Sequence, residues 1–353
     1  MKRQLQSNGG TVTLTRADEW SARAFSSRIL DNRMGAWLKL VRAVAQRYMA
    51  PTYSVRYFQV WNELKGYYSP ASNTYDYSTS PGKPGGANAT HGSTYMYNRV
   101  YAQLLSVAHS MGIPSARVLI GGPYIVLDTW SSSIQSDPSS LVKAYGTFDQ
   151  RSLDVLKYWL RHKSGAGFMT IDASIGNKDG AAIATATVAA AKFGDIVRWI
   201  RSLNPSRYPG ARTLPIWLAE WYARPYGQNS DSRHSAAIKT YAMMAFLKAG
   251  GAVALSWGAT AIGQSSPELW RNMADGGVEI LPFYQAYSDF KTYFAPGVQL
   301  YNVTVTPPGR VDAVASDSVA MLVNMSAAPL IAAVDGRSVT LAPYEITVVR
   351  ERA

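Results

Sequence analysis

Tyr57-Phe58-Gln59-Val60-Trp61-Asn62-Glu63 is the stretch on which the fold turns. Aromatic and β-branched residues dominate it, as in a buried strand, and it stops abruptly in two polar residues. A second run, Leu214 to Ala219, stops the same way in Glu220. Strict alternation would let each glutamate point inward while Val60 and Trp217 face elsewhere.

Working outward from these two strands, helical and strand patterns alternate. Asp31 caps a helix reaching Tyr48, with Trp37, Leu40, Val41, Val44, Ala45 and Tyr48 as its apolar stripe. Upstream, Thr11–Thr15 reads as a short strand and Trp20–Leu30 as a loop. Downstream, helices are expected over about 95–111, 150–162, 184–203, 235–249 and 282–294. Strands are expected over about 117–121, 167–172, 214–220 and 252–257. Such alternation predicts an α/β fold, a parallel sheet with helices outside it. From Gly297 the pattern changes to short alternating runs at 299–305, 311–316, 318–324, 329–333, 337–341 and 345–350. Pro-Pro-Gly, Ser-Asp-Ser and Asp-Gly turns separate them, which predicts a small C-terminal antiparallel β-sandwich domain. The expected domains are therefore 1–296 and 297–353. Residues 69–93 are too long for an ordinary strand-to-helix loop and read as a lid or substrate wall.

Composition narrows the function. The 353 residues are 47% hydrophobic and 16% charged, typical of a globular chain rather than a disordered one. No 18-residue apolar run predicts a membrane span. There are no cysteines, which excludes disulfides, thiol catalysis and zinc–thiolate sites. The histidines His91, His109, His162 and His234 are scattered, so neither a metal nor a cofactor is expected. The net charge is +12, and residues 1–56 carry ten Lys/Arg against three Asp/Glu. A basic surface attracts polyanions. Nucleic acid is the generic polyanion but no binding motif for it is present, an acidic polysaccharide fits equally well, and a merely solvated basic surface is the reading the composition favours. Asn-x-Ser/Thr triplets begin at Asn88, Asn302 and Asn324.

The two glutamates supply the chemistry of glycoside cleavage. One carboxylic acid protonates the departing oxygen, while a second carboxylate attacks the anomeric carbon or activates water. Parallel barrels build their active sites at the C-terminal ends of the strands, where Glu63 and Glu220 are expected.

The motifs around them resemble those of the clan A retaining glycoside hydrolases. Trp61-Asn62-Glu63 resembles the Asn-Glu signature of the clan's fourth strand, and Ile216-Trp217-Leu218-Ala219-Glu220-Trp221 its seventh-strand nucleophile motif. Trp257 resembles the tryptophan flooring the sugar subsite. Gly121-Gly122-Pro123 and the trailing β-domain are most similar to family 39. The resemblance implies a (β/α)8-type TIM barrel with Glu63 as general acid/base and Glu220 as nucleophile. It also implies Asn62 on the sugar 2-hydroxyl, retention of configuration, and carboxyl groups about 5–5.5 Å apart. Aromatic residues stack on sugar faces, so Trp257, Tyr67, Tyr68, Trp130, Trp221 and Tyr222 are candidate subsite walls. Asp172 and Ser174 end the sixth strand, where the clan often has His or Tyr, so Asp172 is a candidate partner of the nucleophile. Asp128 and Arg224 are candidates for charged sugar substituents.

Counting back from Glu63 leaves room for one strand, 11–15, where the clan has three. The expectation is an incomplete barrel lacking the first two βα units, with open strand edges that promote self-association. A truncated start favours a secreted or periplasmic protein; otherwise the cytoplasm is expected. The competing function is a catalytically impaired glycan-binding barrel.

Overall fold

The computed structural model describes residues 28–69, 72–81, 90–132, 137–223, 231–257, 269–270, 279–301, 303–334 and 336–350. The expected strand 11–15, most of the loop 20–30, Arg224, Asn88 and Asn302 lie outside them. In chain order the elements begin with α1 (Met34–Met49), β1 (Tyr57–Gln59), β2 (Tyr68–Ser69), β3 (Thr74–Tyr75), α2 (Ser93–Ser110) and β4 (Leu119–Val126). Then come β5 (Thr129–Trp130), β6 (Pro138–Lys143), β7 (Gly146–Asp149), α3 (Gln150–His162), β8 (Phe168–Ser174), α4 (Ala186–Ala190), α5 (Lys192–Ser202), β9 (Ile216–Tyr222), α6 (Ser232–Lys248), β10 (Val253–Ser256) and α7 (Pro282–Tyr293). Five strands complete the chain: β11 (Val311–Ala315), β12 (Val319–Asn324), β13 (Leu330–Val334), β14 (Arg337–Leu341) and β15 (Ile346–Arg350). The fold is mixed α/β with parallel strand pairing between successive βα units. The chain forms two compact units, one drawing on residues up to 126 and on 154–167, the other on 127–153 and everything from 168.

In the first unit β1 pairs in parallel with β4, Tyr57 opposite Leu119 and Gln59 opposite Gly121. Val60 extends the ladder by donating its N–H to the Gly121 carbonyl at 3.0 Å. Gly122 lies against the Tyr97 ring, where an added Cβ would come within 2.7 Å of ring carbon, so no larger residue fits without movement. Helix α1 packs on α2 but uses a narrower stripe than its sequence pattern implies. Met34, Val41, Ala45 and Met49 are buried, while Leu40, Val44 and Tyr48 stay exposed. Tyr53, Val55 and Tyr57 are exposed as well. Among the described residues β1 has a strand neighbour on one side only.

In the second unit β8, β9 and β10 form a parallel sheet with β9 in the middle. The helix expected over 184–203 is broken at Ala191 into α4 and α5, and the Thr185 side chain caps the first piece. The three-stranded antiparallel sheet β5–β7–β6 has no counterpart in the sequence reading. Its strands are short and carry Ser and Pro, so they lack a clear period-two signal. Strands β11–β12–β15 form one antiparallel sheet and β13–β14 a hairpin. Val311, Ala313, Leu322, Leu330, Ala332 and Leu341 from both close a single apolar core. Among the described residues of the run expected as a strand at 299–305, Tyr301 makes an isolated bridge to Ala315. Lys248, at the end of α6, pairs with Asp312 on β11 at 2.5 Å. Among the described residues no helix is long and apolar enough to cross a membrane.

Candidate active site

Glu63 follows the shortest of the long-range parallel strands. β1 ends at Gln59, and the chain then turns sharply, with Trp61 at φ +70° and Glu63 at φ +32°. Non-glycine residues rarely hold such angles, each of which costs about 1–3 kcal/mol and persists only where surrounding structure enforces it. The enforcement is aromatic. The Trp61 ring meets Trp37 of α1 edge-on at 5.4 Å and Tyr67 at 6.3 Å. Leu64, which starts the following turn of 3₁₀-helix, is buried. Glu63 is thereby held nearly buried and pairs with Lys65, while Asn62 remains exposed.

Glu220 is placed by a different device. β8 and β9 are in register from Met169–Ile216 to Ile171–Leu218, and then Asp172 faces Glu220 rather than Ala219. β10 shows the same slip, with Ala254 opposite Leu218 but Ser256 opposite Trp221. β9 therefore carries one extra residue, a β-bulge, which resets which face each later side chain occupies. Ile216, Leu218 and Trp221 are the buried positions, while Trp217, Glu220 and Tyr222 are half-exposed. The expectation that Trp217 and Glu220 occupy opposite faces fails because strict alternation does not survive the bulge. Asp172 is fully buried, and one of its carboxylate oxygens lies within 4.8 Å of one from Glu220.

The expected aromatic walls divide into two groups. Tyr222 and Trp257 stand together with ring centroids 5.5 Å apart, and Trp257 is 42% exposed, as a sugar platform must be. Tyr68 is half-buried and donates to Asn73 at 2.8 Å. Trp221 and Tyr67, expected as walls, are buried instead. Trp221 is buried between Phe193 of α5 and Phe283 of α7, on the helix-facing side of β9. Tyr67 is buried under the Arg28 guanidinium, which sits 4.9 Å from its ring centroid. Burial pushes its phenol up to about 12. Neither ring has a face left for a sugar.

Trp130 belongs to a polar cluster around the antiparallel insert. Its indole N–H donates to Asp149 at 2.9 Å, and Arg151 grips the same carboxylate through Nε at 2.8 Å. Burial alone would raise the Asp149 carboxyl, but the hydrogen bonds from Arg151 and Trp130 outweigh it and hold it below the usual range. Asp128 pairs with Lys178 at 3.4 Å, and burial raises its carboxyl despite that neighbour. Lys192, the first residue of α5, is buried. Its ammonium donates to Thr129 Oγ1 at 2.7 Å and to the Gly176 carbonyl at 2.9 Å. Burial lowers it to about 7 even though Asp128 pulls the other way. The sequence signal for this cluster is faint, since its members are scattered between residues 128 and 192.

Among solved structures the chain resembles SrfJ from Salmonella typhimurium, with a TM-score of 0.53 and 10% identity over 92% of this chain and 63% of that one. A glucosidase from Croceicoccus marinus gives 0.49 and 10% identity over 90% and 60%. A beta-porphyranase of glycoside hydrolase family 86 from Bacteroides plebeius gives 0.47 and 11% over 89% and 60%. At 10% identity the likeness to SrfJ speaks to fold alone, and the chain spans about six-tenths of the length of each of the three. No protein-family model and no curated protein sequence matches it.

Proposed function

We propose that the chain is a retaining glycoside hydrolase built on an incomplete (β/α)8-type barrel, cleaving a polysaccharide or oligosaccharide by double displacement. One observation carries this reading. Two carboxylates sit near the C-terminal ends of parallel strands, Glu220 just before the end of β9 and Glu63 just after β1, and each is held there by a local departure from regular backbone geometry. Their motifs, Trp61-Asn62-Glu63 and Ile216–Trp221, resemble the acid/base and nucleophile motifs of the clan A hydrolases, with family 39 the nearest in pattern.

In this reading Glu220 attacks the anomeric carbon as the bond to the leaving oxygen breaks, and Glu63 gives that oxygen its proton. The resulting glycosyl ester on Glu220 is then opened by water, whose proton Glu63 takes back. Two inversions at one carbon give net retention. Asn62 binds the 2-hydroxyl, Tyr222 and Trp257 stack on the sugar, and buried Asp172 orients Glu220. The net charge of +12 favours an acidic polysaccharide.

The test is incubation with a panel of neutral and acidic polysaccharides, with Glu63→Gln and Glu220→Gln as controls. Turnover by the unmodified protein, abolished in both controls, is the expected result. Binding without product would instead make the chain a glycan-binding protein. Product of inverted anomeric configuration would remove the nucleophile role from Glu220.

A further inference from the structure

We infer that Arg28 is a positioning residue for Glu63, acting through the Tyr67 and Trp61 rings from a buried ion pair with Asp76. The inference rests on the general-acid role given to Glu63 above. Arg28 is tied down through both terminal nitrogens of its guanidinium. One guanidinium nitrogen pairs with Asp76 at 2.7 Å. Another donates to Thr90 Oγ1 at 3.1 Å and to the His91 carbonyl at 2.7 Å. The guanidinium carbon lies over the Tyr67 ring, 4.9 Å from its centroid. Asp76 is fully buried, and its own N–H donates to the Tyr67 carbonyl at 2.6 Å. The ion pair thus holds Tyr67 by both its ring and its backbone.

Tyr67 in turn abuts the Trp61 ring, and Trp61 and Glu63 hold the two left-handed angles that aim the carboxyl. Strained angles relax when their surroundings loosen. Loosening Arg28 should therefore let the Trp61–Glu63 turn drift, and a general acid displaced by about 1 Å loses much of its effect. Lysine cannot replace arginine here. It carries the charge for Asp76, but it has no planar group to lie on Tyr67 and no fork to reach Thr90 and His91 together.

Leaving-group dependence separates positioning of the acid from general damage. Phenol departs from a glycoside poorly without a proton, whereas 2,4-dinitrophenol departs unaided. The probes are phenyl and 2,4-dinitrophenyl β-glycosides of glucose, mannose, xylose and glucuronic acid and of the corresponding β-1,4-disaccharides. kcat/KM is the quantity read, because it reports the first half-reaction. Arg28→Lys should lower kcat/KM for the phenyl substrate about 10-fold or more, leaving the dinitrophenyl substrate within about 2-fold. Asp76→Asn, which keeps the side-chain shape, should show the same split to a smaller degree and serves if Arg28→Lys fails to fold. Equal losses on both substrates, or no loss on either, would overturn the inference. Glu63→Gln is run on the same pair. If it shows the split and the Arg28 and Asp76 variants do not, only the positioning role is lost. If it shows none, or if the unmodified protein cleaves no member of the set, the acid role of Glu63 fails and this inference with it.

Discussion

The turn at Glu63 and the strand at Glu220 present carboxylates by opposite means. β1 has three residues and gives way at once to a turn with two left-handed residues, so Glu63 is aimed by backbone strain under aromatic packing. β9 has seven residues, paired on both sides, and Glu220 is aimed by one inserted residue while the ladder continues to Tyr222. The lesson is that the two sites have different vulnerabilities. A strained turn depends on its neighbours, so distant substitutions reach Glu63. A bulge embedded between two strands is enforced by register, so Glu220 is sensitive mainly to changes in the strand itself.

The largest expected effect tests the strand side. Glu220→Gln keeps the shape and removes the nucleophile, and should lower kcat by about 10⁴-fold or more in a turnover assay. Glu63→Gln should cost about 10²–10⁴-fold, the usual worth of a positioned acid/base, and less when the leaving group needs no proton. If the two losses were equal on every substrate, the division of roles would be wrong.

A stability measurement probes the bulge. Trp221 is buried only because the extra residue turns it to the helices, so Trp221→Ala should destabilise by about 3–5 kcal/mol in urea or guanidinium unfolding. The same truncation at Trp257, 42% exposed, should cost under about 1 kcal/mol. Comparable losses at the two positions would contradict the assignment of faces.

A pH dependence probes the buried cluster around Lys192. Lys192 titrates near 7 when folded and near 10.4 when unfolded. Between those values the unfolded chain holds the extra proton, so stability rises with pH across that window. Above about pH 10 the sign reverses. Buried Tyr67, with its phenol near 12, keeps its proton in the fold while the unfolded phenol loses it, so the stability it contributes is lost as the pH rises through 12. Unfolding at pH 7, 8.5 and 10 should show the rise, on the order of a few kcal/mol at most, and Lys192→Met should flatten it.

Much of the alternation was legible in the chain, because helices and buried strands advertise their period. The helix expected over about 150–162 coincides with α3, and β8, β9, β10, α2, α6 and α7 lie within about three residues of their expected bounds, while β4 runs five residues past its expected end. The misses have physical causes. α4 and α5 share one apolar period, so the break at Ala191 leaves no mark in it. β5 and β7 are short, and the six-residue β6 opens on Pro138-Ser139-Ser140, so none of them shows a clear period. Leu40, Val44 and Tyr48 fit the helical stripe, but a period does not say which part of it finds a partner.

What the sequence by itself determined is the chemistry on offer: two glutamates following strand-like runs, no thiols, and a basic surface. Residue type and period survive in a one-dimensional string, so these could be read from it. Only the tertiary structure decided how the glutamates are presented and which aromatic rings are free. Trp221 and Trp257 look equivalent as residues next to strand ends. One extra residue in the register of β9 buries the first, and the second remains open. Register is a relation between strands far apart in the chain, and no local pattern records it.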